Sequence, residues 1–506
     1  MSAILKYIRT SFILLLMLVF NFYAISTNAA DNLISLFPLD KYDQKITDWV
    51  SPSDPSYTQP VLTPAQQAKH KAELYRNYFG ELSPWNANYV NFLFSQPVPY
   101  DLQSLEEKKI NSFTNQNQPE DKIGYGANFR PYTQQWLDQI KNNVNLKQFT
   151  TQHYDPAKRA IAIVNIEGRV LPTDEPHFYS YQIGGQGYPF DNIQASAIWA
   201  GTPLYILGET QDHAWSMVLA PSFIAWVKSS DIASVNNRFV KQWLKTAQQH
   251  LAAITNTQVS IVDNENNLFR FSGYIGMLFP AITYPNNIEI LIPVRDKQGQ
   301  ARIYHAKPPL EDVALIPVQP TPEHFANIIQ HLLGRTYGWG SMYFYNDCAS
   351  ELKNLYTVFG IWLAMHSSNQ VDPQQVLGSM VDLSASDTNA RRTYLMEHGH
   401  PWMTVIYIGG HVLDYIGSYP DPIDPMHPVV PLSYQNMWGL HVANSPERRV
   451  MIGQSILLPL LLSYPEDPTL ISHLQKPIFQ LFYLDEIPEM ASLKKKAKTL
   501  SVLLSP

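Results

Sequence analysis

"NDCASELKNLYTVFGIW", residues 346–362, holds Cys348, the one cysteine in 506 residues. After it, Leu352, Leu355, Tyr356 and Phe359 recur at helical spacing, and Gly360 is a natural stop. Asn346 or Asp347 is suited to cap the helix. The spacing therefore predicts a helix with the thiol in its first turn. Unpaired backbone N–H groups and the helix dipole favour an anion at that place. The expectation is a thiol pKa lowered from about 8.5 and a nucleophilic role, where a lone cysteine is otherwise a small buried apolar residue. Just upstream, the glycines of "YGWG" (337–340) permit close approach of a substrate backbone.

A cysteine nucleophile needs a base, and the base needs an orienting partner. "IYIGGHVLDYIG" (406–417) has a Gly409-Gly410 turn between two alternating runs, which puts His411 at the start of a strand. Downstream, His427 in "DPMHPVV" and Gln435 or Asn436 in "SYQNMWG" are the candidates for the third residue. His398 and His400 in "EHGHPW" form a pair with no third ligand nearby, so no metal site is expected.

The rest of the chain sets the context. Lys6 and Arg9, the apolar run "FILLLMLVF" (12–20) and "STNAA" (26–30) have the layout of a secretory signal peptide. The run is too short to span a bilayer, and no membrane span is expected after cleavage. With 36 basic and 43 acidic residues, a net charge of −7 leaves no footprint for nucleic acid. Export to a periplasm fits a chain without disulfides or a wall-anchoring signal.

Residues 31–125 are rich in Pro, Asn, Ser and Tyr and show one clear helix, "TPAQQAKHKAELYRNYFG", in what reads as an extended arm. From 126 to 315 short apolar runs such as "RAIAIVNI", "TPLYILGET", "FIAWVKS" and "IEILIPV" read as strands of small barrels. A helix over 236–254 interrupts them and divides the region at 238/239. "PTPEHFANIIQHLLG" (320–334) then begins an α/β region that extends to 465. The tail, 466–506, ends in "LKKKAKTL", read as a solvated surface segment. The composite expectation is a multidomain α+β protein.

Taken together, "YGWG…NDCASELKNLYTVFGIWLAMHSSNQ" and "MTVIYIGGHVLDYIG…MWGL" resemble the NlpC family of papain-like cell-wall cysteine peptidases. The similarity extends to the branch with an N-terminal stabilising segment ("SLFPLDKYDQKITDWVSPSD", "SPWNANYV") and bacterial SH3-like domains ("VLPTDEP…YPFDNIQASAIWAGTPLYIL…FIAWVKSSDIASV"). The resemblance implies two SH3-like β-barrels (126–238 and 239–315) beside a papain-like domain (316–465). It implies hydrolysis of the γ-D-glutamyl–diaminopimelate amide in peptidoglycan stem peptides, with no cofactor. By position, Cys348 is the nucleophile, His411 the base, Gln435 (with His427 as the alternative) the third catalytic residue and Tyr337 an oxyanion donor. Asp347 and Ser367 match substrate contacts. Three positions depart from the family pattern: Ala349 replaces a common Ser, "LAMHS" (363–367) replaces "LPRNS", and Gln435 replaces a His. These departures keep open a wall-binding protein with an inactive peptidase domain, and the same thiol would also serve acyl transfer.

Overall fold

Thr63 and Pro64 start a helix over Pro64–Tyr78. The Thr63 hydroxyl accepts the Gln66 N–H at 3.3 Å and the Gln66 side chain accepts the Thr63 N–H at 2.8 Å. This computed structural model describes residues 34–150, 152–488 and 498–504. The signal-peptide reading (1–30) and most of the lysine run lie outside them. Three more helices follow, Ala87–Phe94, Leu102–Asn111 and Gln134–Val144. The N-terminal segment, expected to be helical and extended, forms a helical layer. Its apolar stripes are short: Val90, Leu93, Leu102, Ile110, Leu137 and Val144 bury themselves against Tyr205, Leu207 and Trp226 of the next unit. Stripes of two or three residues among Asn and Gln give little periodicity to read.

Seven strands between Arg159 and Ser234 form the first β unit, and a five-stranded and a two-stranded sheet between Leu251 and Leu315 form the second. Among the described residues these ladders stay open, so neither small β unit closes fully into a barrel. Bulges at Gly168/Arg169 and Ile206/Gly208 re-aim the first unit's strands. Its edge strand Gln194–Ile198 instead faces the 339–344 turn, where Gln194 Nε2 donates to the Gly340 carbonyl at 3.0 Å. The interrupting helix covers Asn237–Gln249, capped by Asn236, and stops short of the expected Ile254. Leu251–Ile254 is a strand because it pairs with Leu278–Pro280 on one side and Val313–Leu315 on the other. Tertiary pairing overrides a helix-compatible sequence there.

The last unit is built on a seven-stranded sheet. Its strands are β1 (Ile34–Leu36), β2 (Ser379–Asp382), β3 (Thr404–Tyr407), β4 (Val412–Pro420), β5 (Val429–Val442), β6 (Ser445–Pro459) and β7 (Gln480–Tyr483). They lie in the order β1-β6-β5-β4-β3-β7-β2. The N-terminal β1 pairs in parallel with β6 and the other contacts are antiparallel. Against this sheet packs the helix α1 (Cys348–Val358), with Leu352, Leu355, Tyr356 and Phe359 in one core with Val405, Val412, Leu432 and Leu457.

The described part of the tail is not a solvated segment. Within it, β7 sits between β3 and β2, and Leu500 and Leu503 are buried in the helical layer. Lys498 Nζ donates to Asn77 Oδ1 at 2.9 Å and to the Pro221 carbonyl at 3.1 Å, and lies 4.3 Å from the Trp362 ring centre. Lysine content masked the strand and helix beside it. Among the described residues no helix is long and apolar enough to cross a membrane.

Candidate active site

Cys348 is the first residue of α1. Asp347 caps the helix: its Oδ1 accepts the Ser350 N–H at 2.8 Å, while the Ser350 hydroxyl accepts the Asp347 N–H at 2.8 Å. A buried polar network then fastens this turn to the sheet. Glu351 Oε1 accepts from Ser455 Oγ at 2.6 Å and from the Tyr434 hydroxyl, and Glu351 Oε2 accepts from Asn346 Nδ2 at 2.6 Å. Asn436 Nδ2 in turn donates to the Asn346 carbonyl at 2.8 Å. Glu351 itself is 0% exposed. Every oxygen of that carboxylate is therefore satisfied, as burial of a polar group requires.

The base comes from the turn before β4. Gly409 and Gly410 have φ of 78° and 82°, left-handed values that glycine adopts without cost, and they deliver His411 to the cleft. His411 Nε2 lies 2.8 Å from Gln435 Oε1 on β5. The hydrogen bonds fix the tautomer. The Ser433 hydroxyl donates to the Leu458 carbonyl at 2.8 Å and so must accept from Gln435 Nε2, at 2.9 Å. Gln435 Oε1 then faces His411, whose Nε2 carries the proton, and His411 Nδ1 is left as the free lone pair.

The structure brings Gln435, and not His427, to His411. His427 is exposed on a turn, where its Nδ1 bonds the Asp421 carbonyl at 2.8 Å, because the 421–428 loop projects before β5 enters the sheet. Another histidine does reach the site. His473, 2% exposed, places its Nε2 3.0 Å from the same Gln435 oxygen. It sits in the segment read as tail, and no local pattern in the sequence connects it to β5.

Two cavities meet at Cys348. One, of about 410 Å³, is lined by Asp347, Ser367, Gln194 and Phe223, and by Lys109 from the helical layer. The other, of about 230 Å³, is lined by His411, Trp438, Arg449 and Lys476. Tyr337, Trp339, Cys348 and Gly410 border both. Tyr337 thus stands beside the thiol, with a hydroxyl held well above its ordinary pKa by burial and the neighbouring thiol and carboxylate.

Electrostatics correct one expectation. Burial, with Asp347 adding to it, pushes the Cys348 thiol up to about 12, against the pull of the Val412 and Ala349 N–H groups. The helix terminus alone would lower it, but desolvation and an adjacent carboxylate are larger. Burial also takes His411 down to about 4, with the Lys476 charge acting in the same direction and the Gln435 hydrogen bond opposing it. The cleft therefore holds a neutral thiol beside a neutral imidazole. Among the described residues, no group of three or more His, Cys, Asp or Glu could hold a metal ion.

Residues 176–228 match the SH3 domain (SH3b1 type) family, which places that domain on the first β unit. The chain has the fold of a solved NlpC/P60 endopeptidase from Photobacterium damselae subsp. piscicida: TM-score 0.75, 24% identity, covering 90% of this chain and 100% of that one. An NlpC/P60 family protein from Bacillus cereus ATCC 10987 aligns with a TM-score of 0.40 at 14% identity, over 62% of this chain and 98% of that one. No curated protein matches the chain.

Proposed function

We propose that this protein is an exported peptidoglycan hydrolase that cleaves the γ-D-glutamyl–diaminopimelate amide of stem peptides through an acyl-enzyme. The observation that carries the reading is the meeting, in one cleft, of a thiol at a helix N-terminus with a histidine whose far nitrogen is bonded at 2.8 Å to a buried amide oxygen. A fold shared with an NlpC/P60 endopeptidase over nine-tenths of the chain supports the same chemistry.

In this mechanism His411 Nδ1 takes the thiol proton as Cys348 Sγ attacks the γ-glutamyl carbonyl carbon. The resting pKa values oppose this transfer, so it is coupled to attack and not completed beforehand. Tyr337 and the Cys348 N–H hold the oxyanion, where each donor is typically worth about 3 kcal/mol. The C–N bond breaks as His411 returns the proton to the leaving nitrogen, and a thioester remains on Cys348. Water, deprotonated by His411, then attacks the thioester. The C–S bond breaks, the thiol is reprotonated and a γ-carboxylate is released. Gln435 accepts the imidazole N–H throughout, and supplies orientation without charge. Asp347, beside the nucleophile in the larger chamber, is suited to a substrate ammonium, and Ser367 lines the same wall.

The test is mass spectrometry of L-Ala-γ-D-Glu-diaminopimelate incubated with the wild-type protein and with Cys348→Ala. Cleavage after γ-D-Glu by the wild type alone is the expected result. If the peptide and intact peptidoglycan both survive the wild type, the hydrolase reading fails and wall binding becomes the better account.

A further inference from the structure

Four aromatic rings stand in solvent along a strip beside the cleft. Phe129, Tyr181, Tyr188 and Tyr343 are between 55% and 66% exposed. Phe129 and Tyr181 meet edge to face, with ring centres 5.1 Å apart. Gly187 lies against the Tyr181 backbone and puts Tyr188 next in line. Tyr188 stands near enough to Tyr343 to act, after burial, on that hydroxyl and hold its pKa up. The strip then runs into the catalytic cleft. Trp339, in the same turn as Tyr343, borders both chambers, and its ring packs edge to face on Phe190 at 5.2 Å. Phe190 lines the smaller chamber together with Trp438, 5.3 Å away.

The 339–344 turn displays its outer ring at a cost in backbone conformation. Ser341, Tyr343 and Phe344 have φ of 59°, 57° and 60°, left-handed values that residues with a Cβ rarely adopt. Neighbouring elements hold the turn in that state. Trp339 Nε1 donates to the Asp191 carbonyl at 3.1 Å, and the Tyr343 N–H donates to Glu167 Oε1 at 2.5 Å. The left-handed pair sends two rings opposite ways. Phe344 packs inward on Trp199 and Tyr274, with ring centres 6.1 Å away in each case, and Tyr343 is left outside. Strain retained beside a cleft, and aromatic surface left exposed there, mark a place where a ligand is held.

Composition selects the class of ligand. The loops that carry the three tyrosines, 178–192 and 337–347, contain no lysine or arginine, so they offer no cation to an anionic lipid headgroup. They are rich instead in Tyr, Gly, Ser, Asn and Gln. Rigid rings with a polar edge, set among small hydroxyl and amide residues, suit a neutral ligand that has both an apolar face and hydrogen-bonding edges. A pyranose ring is such a ligand: its axial C–H groups make a face apolar, and hydroxyl and acetamido groups surround it. We propose that the strip from Phe129 to Tyr343 is a saccharide-binding platform that seats N-acetylated sugar rings of a glycan strand at the mouth of the cleft. The identity of the polymer rests on the hydrolase reading above. Stem peptides branch from such strands and cross-links join one strand to the next, so sugar rings lie near the amide to be cut.

The probe is the uncharged tetramer of β-1,4-linked N-acetylglucosamine, titrated calorimetrically into Cys348→Ala protein and into the same protein carrying Tyr188→Ser and Tyr343→Ser. Loss of the two ring faces is expected to weaken binding by about tenfold or more. Tyr188→Phe with Tyr343→Phe keeps the faces and is expected to retain the affinity within about threefold, which separates loss of the platform from loss of folding. In the enzyme that retains Cys348, the serine pair should leave kcat/KM for free L-Ala-γ-D-Glu-diaminopimelate within about twofold, while release of peptide from intact peptidoglycan falls by about tenfold. A tetramer that fails to bind, or that binds the serine pair as well as the parent, overturns the platform, and the hydrolase reading stands if the free peptide is still cleaved. Vesicles of anionic phospholipid that bind the parent and not the serine pair, where the tetramer does not bind, assign the strip to a bilayer and also overturn it. If the tetramer binds through the rings but no peptide is cleaved, the hydrolase reading falls and the saccharide platform stands.

Discussion

The wall that carries Cys348 and the wall that carries His411 face each other across one cleft, but they are held by different means. On the nucleophile's side a buried carboxylate organises the structure: Glu351 gathers Asn346, Tyr434 and Ser455, and ties the first turn of α1 to β5 and β6. On the base's side the chain of contacts is uncharged, running from His411 through Gln435 to Ser433, with His473 sharing the Gln435 oxygen. A buried carboxyl group that holds three hydrogen bonds makes a rigid anchor and is costly to break, even though burial raises its pKa. A neutral chain fixes a tautomer while leaving the imidazole free to gain and lose a proton. The nucleophile's wall needs the first property and the base's wall the second.

The strongest way to sharpen that contrast is to remove the reacting groups. Cys348→Ala is expected to abolish acyl-enzyme formation, a fall of about 10⁴-fold or more in turnover, without changing the melting temperature appreciably. His411→Gln should cost about 10³-fold, read from steady-state rates. A Cys348→Ala protein that still cleaves the peptide would show that the chemistry lies elsewhere.

Glu351→Ala tests the anchor. It leaves three buried donors without an acceptor, and the expected loss is about 3 kcal/mol of stability in urea melts. A loss below about 1 kcal/mol would mean that the network is not what holds α1. Gln435→Leu, on the other wall, removes the orienting acceptor while keeping side-chain volume. A fall of about 10- to 100-fold in kcat/KM is expected, with a much smaller stability change than for Glu351→Ala. Equal stability losses in the two variants would erase the distinction drawn between the walls.

His473→Phe should give the smallest effect, a drop of about tenfold or less, because the ring acts through Gln435. Its signature is in pH dependence. Burial and the neighbouring His411 and Lys476 hold the His473 pKa well below its ordinary value. The unfolded chain then binds a proton below about pH 6.5 that the native state refuses. Native stability therefore falls as pH drops through that range, by about 1.4 kcal/mol per unit for one such group. His473→Phe should lose that share of the acid sensitivity, seen as a flatter stability profile between pH 6.5 and 5. An unchanged slope would place the acid sensitivity in other groups.

The sequence was most legible where one short segment sets its own geometry. Helical spacing after Cys348 located α1, and Gly409-Gly410 located the turn before His411, because caps and positive-φ glycines are local devices. The helical layer was harder to read, since Val90, Leu93 and Ile110 bury against Trp226 more than a hundred residues away. Gln435 could be named as the favoured candidate from its place just before "NMWG", with His427 as the alternative. Only the pairing of β4 with β5 separates them: Asp414 opposite Tyr434 brings Gln435 level with the base, while His427 stays in the loop outside the ladder.

What the sequence determined by itself was the inventory: one thiol at a helix start, one histidine after a double-glycine turn, and a run of short strands ahead of them. What only the tertiary structure decided was their environment. Burial beside Asp347 raises a thiol that a helix terminus alone would have lowered. The fold brings His473, Arg449 and Lys476 to the cleft from segments with no motif of their own. Hydrogen-bond caps and backbone conformation act over a few residues and are written in local order. Desolvation and charge act across space between residues far apart in the chain, and only the folded sheet determines which of them meet.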